Sequence, residues 1–239
     1  VLGATFDADG WRPEGGEAGE GASTVAALVA ITRDRDARFE RVKELAVAAL
    51  ASLPGAEVTS DLLAILSDPR ATAKLKDTVV AVLIKRRDPA SLPVLVGALA
   101  TKADVVAGTE AGPIAEVARA IAALRGVPVD AGARDQAIDA LVDVLRRGDT
   151  EVVETIAVVR ALGALAGDRA SAALRTHLLL GRFEPDLVGS TEWREAVRDE
   201  LAGFSDPLSK ETLRFVTADV RTDPALVETL RAPVAPAKP

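Results

Sequence analysis

Cysteine is absent from the 239 residues, and with it every disulfide, thiolate metal site and cysteine nucleophile. Methionine, tyrosine and asparagine are missing too, and arginine outnumbers lysine, a bias of GC-rich codon usage rather than of chemistry. Aromatic residues make up only 3%, which speaks against a strand-rich domain, where Tyr, Phe, Ile and Thr normally supply the pleated surface. No apolar run approaches the ~18 to 20 residues that span a bilayer, so no transmembrane segment is expected. A basic surplus is lacking as well. The formal charge is −7 with a pI near 5.0, whereas a protein that grips nucleic-acid phosphates needs a basic face, so nucleic acid is not an expected partner.

What remains is rich in Ala, Val and Leu, with 49% hydrophobic residues, enough for a core. Alanine favours helix and lets helices approach closely, so composition alone leans all-α. The chain begins at Val1, without an initiator methionine, on a Gly/Glu-rich stretch. A removed export signal accounts for such a start and predicts an exported, cell-envelope protein, periplasmic or peripheral, ahead of a cytoplasmic one.

Residues 1–22 interleave Gly10, Gly15, Gly16, Gly19 and Gly21 with Glu14, Glu17 and Glu20, a flexible acidic composition that predicts an extended arm. Phe6 and Trp11 are its large apolar groups and the candidate partner-binding anchors. A first helix is expected from Ser23, as its cap, to Thr32. Phe39, Val42, Leu45, Ala46, Ala49 and Leu53 mark a second stripe, closed by Pro54-Gly55. Leu62 to Leu66 form the core of a third helix, and Leu75, Val79, Val82 and Leu83 of a fourth. Pro93 falls in the first turn of the next, where its missing N–H does no harm.

The most regular stretch is Asp149 to Leu179. Val152, Ile156, Val159 and Leu162 recur at steps of three and four, Gly167 suits a left-handed helix end, and Asp168 can cap the helix that carries Ala173, Leu174, Leu178 and Leu179. Two such short helices cannot bury their faces alone. Leu66, Leu99, Leu145 and Leu178 close matching second-helix segments at intervals of 33, 46 and 33 residues. The 13 extra residues fit either of two Gly/Pro-rich places, Thr101 to Pro113 or Gly126 to Arg134. Equal spacing broken only there is the mark of a helical-hairpin repeat.

The turn-and-helix pattern of Asp149 to Leu165 and Asp168 to Leu179, and that of Asp88-Pro89-Ala90-Ser91-Leu92-Pro93-Val94-Leu95, resembles the short bacterial HEAT or HEAT-like repeat. The resemblance covers roughly residues 23–180 and departs from the pattern at the insertions and at Leu53-Pro54-Gly55. It implies an all-α, right-handed α-solenoid of about four to five hairpins. Beyond it, helices over Ser190 to Phe204, Leu208 to Ala218 and Pro224 to Arg231 are expected to form a C-terminal helical cap over 181–231, followed by a Pro/Ala-rich tail, 232–239.

Chemistry is sparse. His177 stands alone on a leucine-rich helix, which points to a solvated or core-edge role rather than to a ligand or base. Asp7-Ala8-Asp9-Gly10 begins like a calcium loop, but its twelfth position is Gly16 instead of a bidentate Glu. Arg147-Gly148-Asp149 sits where a helix junction needs Gly and Asp anyway. Lys85-Arg86-Arg87 and the Arg33, Arg35, Arg38, Arg41 group read as basic spots, the second neutralised by Asp34, Asp36, Glu40 and Glu44 as on a solvated face. No phosphate loop, nucleophile elbow or catalytic carboxylate pair is present. The expectation is a non-catalytic scaffold or assembly subunit with protein partners, docking on the second-helix face, with no cofactor and no metal. The alternatives are an enzyme accessory of the chromophore-lyase type that the resemblance allows and, less favoured, a nucleic-acid-binding repeat protein.

Overall fold

The computed structural model describes residues 18–32, 40–53, 55–68, 70–100, 113–147 and 149–234. The arm anchors Phe6 and Trp11 and the Asp7 to Gly10 turn lie outside them, as do Arg33, Arg35 and Arg38. The fold is all-α: among the described residues there are thirteen α-helices, one short 3-10 turn and no strand. The chain divides into two units, residues 1–98 and 99–239.

Unit 1 holds α1 (Ala18–Thr32), α2 (Glu40–Leu50), α3 (Ala56–Leu66), α4 (Ala73–Arg86), a 3-10 turn (Pro89–Ser91) and the start of α5 (Leu92–Ala100). Helix α1 begins at Ala18, so Ser23 lies inside it and does not cap it. Helix α2 turns a different face inward from the one its spacing suggested. Ala46, Val47 and Leu50 are buried, while Val42 and Leu45 are exposed. Lys43 and Glu44 can accompany the buried face because Glu40 pairs with Lys43 at 3.1 Å and Lys74 with Glu44 at 2.7 Å. In α4 the expected stripe of Leu75, Val79, Val82 and Leu83 is the buried one. Thr72 caps that helix by accepting from the Leu75 N–H, and Asp88 caps the 3-10 turn by accepting from the Ala90 N–H.

Arg86 lies in the middle of the basic triplet and is far from solvated. Its guanidinium, 3% exposed, donates to the Leu50 and Gly55 carbonyls at 3.0 Å and to the Leu53 carbonyl, closing the α2–α3 connection. It adds a second donor to the Leu50 carbonyl, which also accepts from the Leu53 N–H at 3.3 Å, and partners the Leu53 and Gly55 carbonyls of the connection.

Unit 2 contains α6 (Ile114–Ala122), α7 (Ala131–Leu145), α8 (Val152–Leu165), α9 (Gly167–Gly181), α10 (Pro185–Gly189), α11 (Thr191–Gly203), α12 (Pro207–Ala218) and α13 (Pro224–Arg231). Its helices pack in two rows. Helices α6, α8, α11 and α13 are neighbours in that order in one row, and α7, α9 and α12 in the other. Helix α8 is buried nearly all round, with Val158, Val159, Ala161 and Leu162 at 0% exposure, because α6, α7, α9 and α11 surround it. The single-face stripe understates it. Helices α11 and α12 continue the rows beyond Leu180, with Thr191 starting 39 residues after Val152, and the five-residue α10 is the inserted piece.

Between α8 and α9 the chain reverses in two residues, Ala166 at φ 55° and Gly167 at φ 85°. Asp168 is inside α9, whose start has no side-chain cap. A side chain at φ 55°, ψ −173° is strained, a conformation that suits glycine. Ala166→Gly relieves the strain at some cost in unfolded-chain entropy, and the net gain expected is about 1 kcal/mol. The measurement is the urea midpoint of unit 2, which should rise with the slope unchanged.

A groove between two second helices

Helices α7 and α9 are neighbours in the second row, and each exposes a second face beside its buried one. On α7 the buried stripe is Ala137, Ile138, Leu141 and Val144, all directed into the unit. Val142 and Leu145, half-buried, stand next to it. On α9 the buried stripe is Ala170, Ser171, Leu174 and Leu178, and Ala173, His177 and Leu180 follow one another at steps of four and three on the adjoining face. Ile138, Val142 and Leu145 of α7 and Ala173, His177 and Leu180 of α9 line an open groove of about 370 Å³. Leu180 at its end is 68% exposed, more than any other apolar side chain of α9.

His177 is the polar group on the floor. Trp193 of α11, fully buried, donates its indole Nε1–H to His177 Nε2 at 3.0 Å, and the rings meet edge to face with centroids 5.7 Å apart. The indole fits because Gly181 has no side chain: a Cβ there would lie 3.0 Å from Trp193 Cζ2 and 3.1 Å from Leu187 Cδ1. An indole N–H is a donor only, so Nε2 must be the unprotonated nitrogen and Nδ1 carries the hydrogen. Burial pushes the imidazole down to about 4, so near pH 7 the ring is neutral in that tautomer. The core-edge reading of His177 describes where it sits.

The rim is charged. Arg169 pairs with Asp139 and, at 3.3 Å, with Asp135, both on α7 one turn apart. Arg146 has a looser partner, Asp143 at 3.7 Å, and both side chains are more than 70% exposed. On the other flank, α12 is fixed to α9 by a hydroxyl–carboxylate network. Asp206 accepts from Ser171 Oγ at 2.8 Å, from Ser209 Oγ at 2.7 Å and from Arg175 Nη1 at 3.0 Å. Burial would raise the Asp206 carboxyl, but the hydroxyl and backbone donors of Ser209 and Ser171, with the Arg175 charge, outweigh it and hold it at about 2.

Beyond the end of α9, Arg182 is buried between two half-exposed rings, its guanidinium carbon 4.5 Å from the Phe183 centroid and 5.2 Å from that of Phe215. Asp219 neutralises it at 3.0 Å. Hydrogen bonds from Arg221, with the Arg182 charge adding, hold the Asp219 carboxyl far below the usual carboxylate range. Spacing could not reveal this group, since its members come from three separate stretches.

Among the described residues no three His, Cys, Asp or Glu side chains gather in a way that would hold a metal ion, and no helix is long and apolar enough to cross a membrane. Arg147 and Asp149 lie at the α7–α8 junction as the sequence placed them. No known protein family, curated protein or solved structure matches the chain.

Proposed function

We propose that the chain is a non-catalytic, protein-binding scaffold or a structural subunit of a larger protein assembly, built as a solenoid of HEAT-like hairpins. The observation that carries this reading is the open α7–α9 groove. It lies on the second-helix face, has an apolar floor and ends in Leu180, which nothing within unit 2 covers. An apolar surface with a charged rim is the anatomy of a docking site, where a few buried anchors supply most of the affinity. The two rows of unit 2 support the solenoid part: neighbours of like position pack on one another, so each hairpin buries what the next leaves open.

The test is a change on the groove that spares the core. Leu180→Glu and Ala173→Glu place charge on exposed and half-buried positions and should leave the fold intact. Partner binding should fall by tenfold or more, roughly the loss of one anchor. The measurement is affinity for the co-purifying protein, with circular dichroism as the folding control. Undiminished binding by both variants would place the docking surface elsewhere.

A further inference from the structure

We infer that the α7–α9 groove selects an apolar peptide segment bearing a carboxylate, received by the His177 Nδ1–H and the Arg146 guanidinium. The inference rests on the docking role proposed for this groove and names the chemistry of its partner.

The polar groups of the groove are not equally in need of a ligand. Asp139 already holds Arg169, and Thr176 Oγ1 donates to the Ala172 carbonyl at 3.0 Å. What remains open is donor capacity. The indole of Trp193 occupies His177 Nε2, so the ring's other nitrogen is obliged to be a donor, and His177 is itself one of the residues that line the groove. Arg146 is held only by an exposed carboxylate 3.7 Å away, a pairing of little strength in water. Two donors, one of them charged, line the groove, whereas its lining carboxylate, Asp139, is taken by Arg169 and Asp143 is not among the lining residues; the groove is therefore complementary to an acceptor-rich, anionic group on an apolar stem. Peptide fits better than a small molecule. The groove is open along its length, and the apolar surface passes from Leu180 to the half-exposed Phe183 one turn on.

His177 is the sole histidine, so ring nitrogen signals of the histidine-labelled full chain report this site without ambiguity. The probes are three acetylated, amidated peptides, Leu-Leu-X-Leu-Leu with X as Glu, Gln or Lys. The Glu peptide should move the Nδ1 signal and bind roughly fivefold or more tightly than the Lys peptide, with Gln between. Arg146→Glu should reverse the Glu-over-Lys order. His177→Gln keeps an acceptor for Trp193 and a donor for the groove and should retain the preference, which His177→Leu should lose. Equal binding of the three peptides, or no movement of Nδ1 with any, overturns the inference. If Leu180→Glu still abolishes binding of the native partner in that case, the groove remains the docking surface and only its proposed chemistry falls. If Leu180→Glu is also silent, both readings fall.

Discussion

Arg86→Ala removes about 3 kcal/mol of stability from unit 1. The substitution takes away a nearly fully buried guanidinium that donates to the carbonyls of Leu50, Leu53 and Gly55. A hydrogen bond from a charged donor is worth about 1.5 to 3 kcal/mol, and the Leu50 carbonyl left behind falls back on the longer bond from the Leu53 N–H at 3.3 Å. Part of the gain is offset by burial, which lowers the Arg86 pKa, and by an Nε left without an acceptor. Arg86→Lys should fall between, since one ammonium cannot span three carbonyls. Amide hydrogen exchange checks the expectation locally: protection should drop through α2, α3 and α4 and stay unchanged in unit 2. Unaltered protection in α2 would show that the connection closes without Arg86.

Acidification produces the second large effect, through His177. In the unfolded chain an imidazole titrates near 6.5, whereas burial holds the folded ring at about 4. Between those values the unfolded state takes up a proton that the folded state refuses, so stability falls as pH falls. The contribution is complete above pH 6.5 and lost progressively down to pH 4, by about 3 kcal/mol at most. Protonation would also set an Nε2–H against the Trp193 N–H, leaving two donors facing each other between α9 and α11. Asp206 acts in a separate window. Its lowered value, about 2, means that its share is lost only as the pH drops from near 4 toward 2. Glu200, raised chiefly by burial, works in the opposite direction, so the comparison must be made against a variant. His177→Gln should flatten the profile between pH 6.5 and 4 and leave the fall below 4 in place. A profile that keeps its slope in the variant would assign the acid sensitivity to carboxylates.

The sequence made some of this legible and concealed the rest for identifiable reasons. Where the apolar stripe was narrow, as in α4, the buried residues were those its period named. In α2 the run from Leu45 to Ala51 is apolar nearly all round, so period alone could not choose between two faces. The packing chose the one that also buries Lys43 and Glu44, each of them paired. The helices expected over Ser190 to Phe204, Leu208 to Ala218 and Pro224 to Arg231 are α11, α12 and α13, and the structure caps them with Ser190, Asp206 and Asp223. The end of α8 was half legible: Gly167 declared a left-handed turn, but nothing in the sequence said that Ala166 would share it.

The candidate site was less legible than the fold. A lone histidine on a leucine-rich helix has no sequence signature for its partner. Trp193 lies 16 residues away on another helix, and the glycine that admits its ring, Gly181, reads as an ordinary helix end. The groove itself arises from two helices more than 20 residues apart, each contributing residues that look like second-rank stripe positions. Arg86 was hidden by composition, because a basic triplet at a helix end reads as solvated. Leu145 and Leu178, 33 residues apart, fall on α7 and α9, the two helices that flank the groove.

The most direct test of the docking account is the native mass and composition of the particle purified from its source, wild type beside the Ala173→Glu/Leu180→Glu double variant. The account predicts a wild-type complex with a stoichiometric protein partner, and a double variant that is folded but has lost it. A wild-type protein that runs as a lone monomer, or a double variant that keeps its partner, would contradict it.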